Sequence, residues 1–185
     1  MRIVGGAFRG RRLAAVGKGD AGAHLRPTAD RVRESLFNLL LGGRFGDPVE
    51  DAHVLDLFAG TGALGLEALS RGAAHVTFVD DGRIAQGLLA ENIALLGVKD
   101  RVKVLRASAL RLPEAATPVN LVFLDPPYGR GLGEKALTSA RAQGWIGDDA
   151  LVIWEERGPQ DAPEGFTLLE HKSYGDTVVT LLRAG

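Results

Sequence analysis

Asp56-Leu57-Phe58-Ala59-Gly60-Thr61-Gly62-Ala63-Leu64-Gly65 is the stretch on which the fold turns. It grows out of an apolar run, His53 to Phe58, that reads as a buried strand. It leads into Ala63 to Ser70, which reads as a helix ended by Gly72. Glycines at 60 and 62 permit a tight strand-to-helix turn and let a ligand approach the backbone closely. The helix start beyond them offers unpaired N–H groups to a polar or negative group. A strand, a glycine turn and a helix in succession form the first unit of an alternating α/β chain.

The alternation continues outward. His75 to Val79 reads as a second strand, closed by Asp80-Asp81, and Arg83 to Leu96 as a helix with Ile84, Leu88, Leu95 and Leu96 inward. Val102 to Leu105 and Val119 to Leu124 read as strands, Gly133 to Gln143 as a helix and Leu151 to Trp154 as a fifth strand. Phe166 to His171 and Thr177 to Leu182 bracket Tyr174-Gly175-Asp176 as an antiparallel hairpin. The pattern predicts a doubly wound, mostly parallel sheet of Rossmann-like type with a C-terminal antiparallel hairpin. Its ligand site should lie at the carboxyl ends of the strands. Upstream, Arg2-Ile3-Val4 and Arg11-Arg12-Leu13 predict a small N-terminal β-hairpin, and residues 14–25 a Gly- and Ala-rich loop. Thr28 is placed to cap a helix over 28–41 with Val32, Leu36, Leu39 and Leu40 inward. The expected division is a basic hairpin and loop over 1–25 and a catalytic domain over 26–185.

Composition narrows the class. With 45% hydrophobic and 24% charged residues in 185, the chain has the content of one soluble globular domain. The absence of cysteine excludes disulfides and thiolate metal sites. His24, His53, His75 and His171 lack metal-ligand spacing, so no metal is expected. There is no long apolar run and no signal-like N-terminus, so a cytoplasmic protein with no membrane partner, acting as a monomer, is expected. Net charge is −1, yet residues 1–33 carry +6 and the remainder −7. That asymmetry suggests a basic edge facing a polyanion. A solvated N-terminus is the plain alternative.

The strand ends carry the chemistry. Gly60-x-Gly62-x-x-Gly65 followed by Asp80 fits a nucleoside site, with Asp80 on the ribose hydroxyls. NAD and S-adenosylmethionine both satisfy that pattern. Asp56 separates them, because a carboxylate beside a pyrophosphate is repelled whereas one beside a cationic amino group is attracted. After the fourth strand comes Asp125-Pro126-Pro127-Tyr128. Each proline fixes its own φ and holds its predecessor extended, so the loop is stiff. The Asp125 carboxylate and Pro126 carbonyl would accept hydrogen bonds from the exocyclic amine of a base stacked on Tyr128. Its nitrogen lone pair would then lie in line with a methyl donor. The candidate catalytic residues are thus Asp125, Pro126, Pro127 and Tyr128. The candidate cofactor residues are Asp56, Phe58, Gly60, Thr61, Gly62, Asp80, Asp81, Ser108 and Ala109. Ser108 serves equally as a plain cap, and Asn92, polar inside a helix, reads as a tie for a neighbouring loop.

Assembled, these motifs resemble the RsmD family, bacterial methyltransferases that modify a guanine of small-subunit ribosomal RNA at its exocyclic N2. The resemblance rests on Met1 to Gly6 with Arg9-Gly10-Arg11, on Arg26-Pro27-Thr28 with Asp30 to Asn38, on Leu55 to Gly72, and on Asp125 to Tyr128. It implies S-adenosylmethionine as cofactor, and ribosomal RNA or the assembled small subunit as partner. It implies that Asp56, Gly60, Gly62 and Asp80 hold the cofactor, and Asp125 to Tyr128 the guanine. The chain departs from the family where relatives often have Glu at position 80 and Asp or Asn at position 108. For RNA phosphates the candidates are Arg9, Arg11 and Arg12; Arg26, Arg31 and Arg33 share that role or brace the active site. The rival readings are an adenine-N6 methyltransferase of DNA or RNA, an NAD-dependent oxidoreductase, and a non-catalytic ribosome-assembly factor.

Overall fold

The computed structural model describes residues 1–16 and 28–185. Seven strands form one sheet: β1 (His53–Leu57), β2 (His75–Val79), β3 (Val102–Leu105), β4 (Val119–Leu124), β5 (Ile146–Glu156), β6 (Phe166–Tyr174) and β7 (Thr177–Ala184). Their order is β3-β2-β1-β4-β5-β7-β6. The first five run parallel, and β7 inserts antiparallel between β5 and β6. The helices are α1 (Asp30–Leu41), α2 (Ala63–Ser70), α3 (Arg83–Leu96) and α4 (Leu132–Ala142). Strand order reverses between β1 and β4, which is where an open α/β sheet leaves a crevice for a ligand. The expected architecture, C-terminal hairpin included, is therefore present.

Side chains alternate across the sheet and build two cores. Val54, Phe78, Phe123 and Ile153 share one with Leu36, Phe37 and Leu66; Leu55, Val79, Leu124 and Trp154 share the other with Leu137. Every residue of α2 is buried. A helix buried all round needs a second cover, and the N-terminal hairpin supplies it. Ile3 and Leu13 join the first core, and the Arg2–Arg12 bridge closes the hairpin. The two longest polar side chains of α2 tie it down. The Glu67 carboxylate accepts the Gly5 N–H at 2.9 Å and the Val4 N–H at 3.1 Å; the Ser70 hydroxyl accepts from Phe8 N–H at 2.9 Å and donates to the Gly5 carbonyl at 2.6 Å. Gly6 is obligatory there: its φ is +76°, and a Cβ would lie 1.9 Å from the Ser70 carbonyl oxygen.

Three expectations need correction. Helix α1 begins at Asp30 rather than 28, and Ala29 precedes it without a side-chain cap. The Thr28 hydroxyl is directed to Glu155 instead, at 3.4 Å. In α3 the inward face differs in part: Leu96 packs inside as expected, but Ile84 and Leu95 are both 46% exposed, and Ala85, Leu89 and Ile93 are buried instead. Strand β5 spans 11 residues where the apolar run Leu151–Trp154 predicts four. Its start is hidden by Gly147-Asp148-Asp149, where Asp149 has φ +61° and the register to β4 shifts. A bulge of this kind breaks the alternation that marks a strand. Its end is hidden by Glu155 and Glu156, two acids that interrupt the apolar run and are nonetheless buried.

Candidate active site

The carboxyl ends of β2, β1, β4 and β5 are neighbours in the sheet, and each delivers an acid. Asp80 follows β2, Asp56 lies on β1, Asp125 follows β4, and Glu155 is on β5. Asp56 pairs with Phe123, and Leu124 with Trp154. Alternation therefore places Asp56, Asp125 and Glu155 on the same sheet face.

The glycine turn is built around two of these acids. The Asp56 carboxylate accepts the Gly65 N–H at 3.0 Å, across the turn. Asp80 accepts Gly60 N–H at 2.9 Å through one oxygen and Gly82 N–H at 2.8 Å through the other. Phe58, at the exit of β1, holds φ +57° and is followed by Gly60 at +58° and Gly62 at +81°. A left-handed phenylalanine is costly and persists because β1 and the turn fix it from both sides. A Cβ on Gly62 would stand 2.4 Å from Leu89 Cδ1, so the turn packs tightly onto α3. Asn92, buried on α3, donates to the Thr61 carbonyl at 2.9 Å and the Ala14 carbonyl at 3.1 Å, and accepts the Ala14 N–H at 2.6 Å. It thus ties the chain at Ala14 to the turn, the role its sequence position suggested.

Asp56 is pushed well above the ordinary carboxyl range. Burial dominates; the Gly65 N–H opposes it, and Asp80 and Glu155 add to it. Asp81 is exposed. After β3, the Ser108 hydroxyl accepts the Leu110 N–H at 3.2 Å, a local cap, and Ala109 is packed in the second core.

The proline loop leaves β4 held at two points. The Glu156 carboxylate accepts the Gly129 N–H at 3.2 Å and the Arg157 N–H at 2.9 Å. The Tyr128 hydroxyl meets the Thr177 hydroxyl of β7 at 3.3 Å. A cavity of about 550 Å³ opens beside the ring, lined by Tyr128, Arg157, Gly175, Asp176 and Thr177. Pro126 is buried, and Asp125, Pro127 and Tyr128 are half-buried. Burial also raises the Asp125 carboxyl well above its ordinary range, with Glu155, Asp56 and Glu156 adding to it and the Thr28 hydroxyl opposing. Glu155 is raised to about 7, again mainly by burial, against the Thr28 hydroxyl and the Arg33 charge.

The arginines divide. Arg9, Arg11, Arg12 and Arg31 are exposed, and Arg11 donates to the Leu95 carbonyl at the end of α3. Arg26 lies outside the described residues. Arg33 is fully buried, so its guanidinium cannot meet an RNA phosphate. It bridges to Glu67 at 3.3 Å and Asp30 at 3.0 Å, and donates to the carbonyls of Thr28 and Arg2. Of the two roles the sequence left to Arg33, the geometry supports the brace. Glu67 also pairs with Arg71 at 3.0 Å. Sequence reasoning missed Glu67 and Glu155; an acid inside a run as apolar as Ala63–Leu69 was the available signal for the first.

Residues 1–183 match the family model described as Conserved hypothetical protein 95. The chain belongs to that family. Its curated relatives include the ribosomal RNA small subunit methyltransferase D of Escherichia coli, 40% identical over 98% of this chain and 88% of the relative. The protein of the same name from Haemophilus influenzae is 35% identical over 95% of this chain and 89% of that protein. The solved structure of the yhhF protein of Escherichia coli superposes with a TM-score of 0.81 at 38% identity, covering 100% of this chain and 97% of that one. The protein is accordingly an enzyme, a methyltransferase with a Rossmann-like fold. Among its described residues, no helix is long and apolar enough to cross a membrane.

Proposed function

We propose that this methyltransferase moves a methyl group from S-adenosylmethionine to the exocyclic N2 of a guanine in small-subunit (16S) ribosomal RNA. The observation that carries the reading is the row of acids at adjacent strand ends, interrupted by the glycine turn and followed by the proline loop. The similarity to small-subunit methyltransferases over nearly the whole chain, basic N-terminus included, supports the choice of RNA.

The cosubstrate fits the residues present. S-adenosylmethionine carries an ammonium and a sulfonium, and Asp56, Asp125 and Glu155 form no salt bridge among the described residues. Asp80 keeps lone pairs for a ribose beside its two backbone donors. When bound, S-adenosylmethionine supplies an electrophilic methyl carbon whose bond to sulfur breaks with the electron pair left on sulfur. The protein's part is placement. Asp56 attracts the cationic amino-acid end, Asp80 orients the sugar, and the backbone at Phe58 to Gly62, with Asp81, Ser108 and Ala109, borders the nucleoside. Asp125 and the Pro126 carbonyl accept hydrogen bonds from the target amine, and Tyr128 stacks on a base turned out of the RNA into the adjoining cavity. Glu156 and Thr177 hold that loop still, which keeps the nitrogen in line with the methyl carbon. Arg9, Arg11, Arg12 and Arg31 take flanking phosphates.

The test is to offer methyl-labelled S-adenosylmethionine to naked RNA, assembled small subunits and DNA. Label on a guanine N2 of small-subunit RNA is expected. Label on DNA or on adenine, or no transfer to any of the three, overturns the reading.

A further inference from the structure

Glu155 has an unusual position for an acid. It is 2% exposed, and its Oε1 finds no hydrogen-bond partner among the described residues. A buried carboxyl oxygen left unpaired costs stability, so its retention calls for a reason. Its place in the sheet supplies one. Leu124 of β4 pairs with Trp154 of β5, so the next residues along the two parallel strands are Asp125 and Glu155, side by side on one face. The Thr28 hydroxyl faces both: it lies 3.4 Å from Glu155 Oε2, and as a nearby donor it also opposes the rise of the Asp125 carboxyl. A hydroxyl has one proton to donate, so it cannot satisfy two ionised carboxylates.

We propose that Glu155 is a positioning residue that shares one proton with Asp125 through Thr28 and thereby sets Asp125 as the proton acceptor of the methyl-transfer site. The inference rests on the functional reading above. An amine that gains a methyl group carries a positive charge and one proton more than the product. That N–H bond breaks with its electron pair left on nitrogen, and Asp125 takes the proton. An ordinary carboxylate has little affinity for a proton at neutral pH. A second carboxyl beside it, in a dry setting, raises that affinity, because the two cannot both ionise cheaply. The neighbouring charges agree in direction. Asp56 from β1 and Glu156 from β5 raise the affinity further, while β7 opposes Glu155 with the apolar Val179. Arg33 of α1, the cation acting on Glu155, is already committed to Glu67 and Asp30.

The substitution that tests this is Glu155→Gln, which keeps volume and removes the shared charge. In the free protein, the carboxyl carbon of Asp125, followed by NMR and assigned with Asp125→Asn, should titrate about one pH unit or more lower than in wild type. The acid limb of the turnover–pH profile should move down with it. Glu155→Asp, which retains the charge, should hold both within about half a unit of wild type. Methyl transfer to RNA with an unmoved Asp125 midpoint overturns this inference alone. A moved midpoint in a protein that methylates no RNA upholds the proton sharing and overturns the functional reading. A loss of turnover equal at every pH, with no shift, reduces Glu155 to a structural acid.

Discussion

The two halves of the carboxyl edge are finished to different degrees. On the β1–β2 side the acids are met by backbone N–H groups: Asp56 by Gly65, and Asp80 by Gly60 and Gly82, all within 3.0 Å. On the β4–β5 side, Glu155 has one oxygen on Thr28 at 3.4 Å and the other on nothing among the described residues. The first half is a preorganised cradle whose geometry is set before a ligand arrives, which lowers the ordering cost of binding. The second half is short of donors, and a base amine supplies donors. The difference teaches where binding and chemistry divide: nucleoside affinity should depend on the backbone turn, and turnover on acids that the protein leaves incompletely satisfied.

Asp125→Ala should break the acceptor half and spare the other. Turnover should fall by roughly 10²–10³, the loss typical of removing a preorganised group that meets charge developing in the transition state. S-adenosylmethionine affinity, read by calorimetry, should stay within about twofold, since the turn does not depend on Asp125. Equal losses in both would show that the halves are not separable.

The next effect is on stability and has a definite sign. Glu155 titrates near 7 in the folded protein against 4.5 ordinarily. Between those values the folded state keeps a proton that the unfolded chain has lost. Its contribution to stability therefore falls as pH rises through the window, by about 3 kcal/mol in all. Asp56 and Asp125, also raised, act in the same direction. Glu155→Gln should flatten the decline between pH 5 and 8 in urea unfolding, as should a saturating cationic cosubstrate. A wild-type curve that is flat, or rises with pH, would mean these acids are better solvated than their burial implies.

A smaller effect strikes the opposite half. Gly62→Ala places a Cβ 2.4 Å from Leu89 Cδ1 at a φ of +81°. Leu89 is buried, so the methyl group costs about 1–3 kcal/mol of stability and displaces the turn. Cosubstrate affinity should drop at least about tenfold, while turnover at saturating cosubstrate should change far less. A variant that binds normally and turns over slowly would reverse the division of labour.

What could be read in advance follows the same boundary. The glycine turn and the proline loop were legible because their geometry is local: few residue types tolerate those dihedrals. Asn92 was legible as a tie because an amide inside an apolar helix face needs a partner. Thr28 read as a helix cap, the nearest use for a hydroxyl there, yet its partner lies 127 positions away on β5. Arg33 sits among exposed charges in sequence, and only the fold sets it against Glu67. Glu155 and Glu156 were invisible because the strand that buries them is bounded by polar residues at both ends. Long-range pairing, not local preference, decides those positions, and so the acids that tune the acceptor half had no signature to find.

The smallest effect concerns neither half but what reaches them. The N-terminal hairpin is fastened to α2 by Glu67 and Ser70, so Arg9 and Arg12 are carried on a fixed support while their side chains remain exposed. Charges on a fixed support can meet phosphates in a set register. Replacing both with alanine should leave cosubstrate affinity unchanged and weaken RNA binding at low salt. The plot of log affinity against log salt should become shallower by about 1.4, if each meets one phosphate of a single strand. Arg11 is less telling, because its guanidinium already binds the Leu95 carbonyl. An unchanged slope would move the phosphate contacts off the hairpin and onto Arg31, or onto Lys18 and Arg26 in the stretch that joins the hairpin to α1. With the contacts on Arg31, the basic edge would be carried by α1 and not by the hairpin.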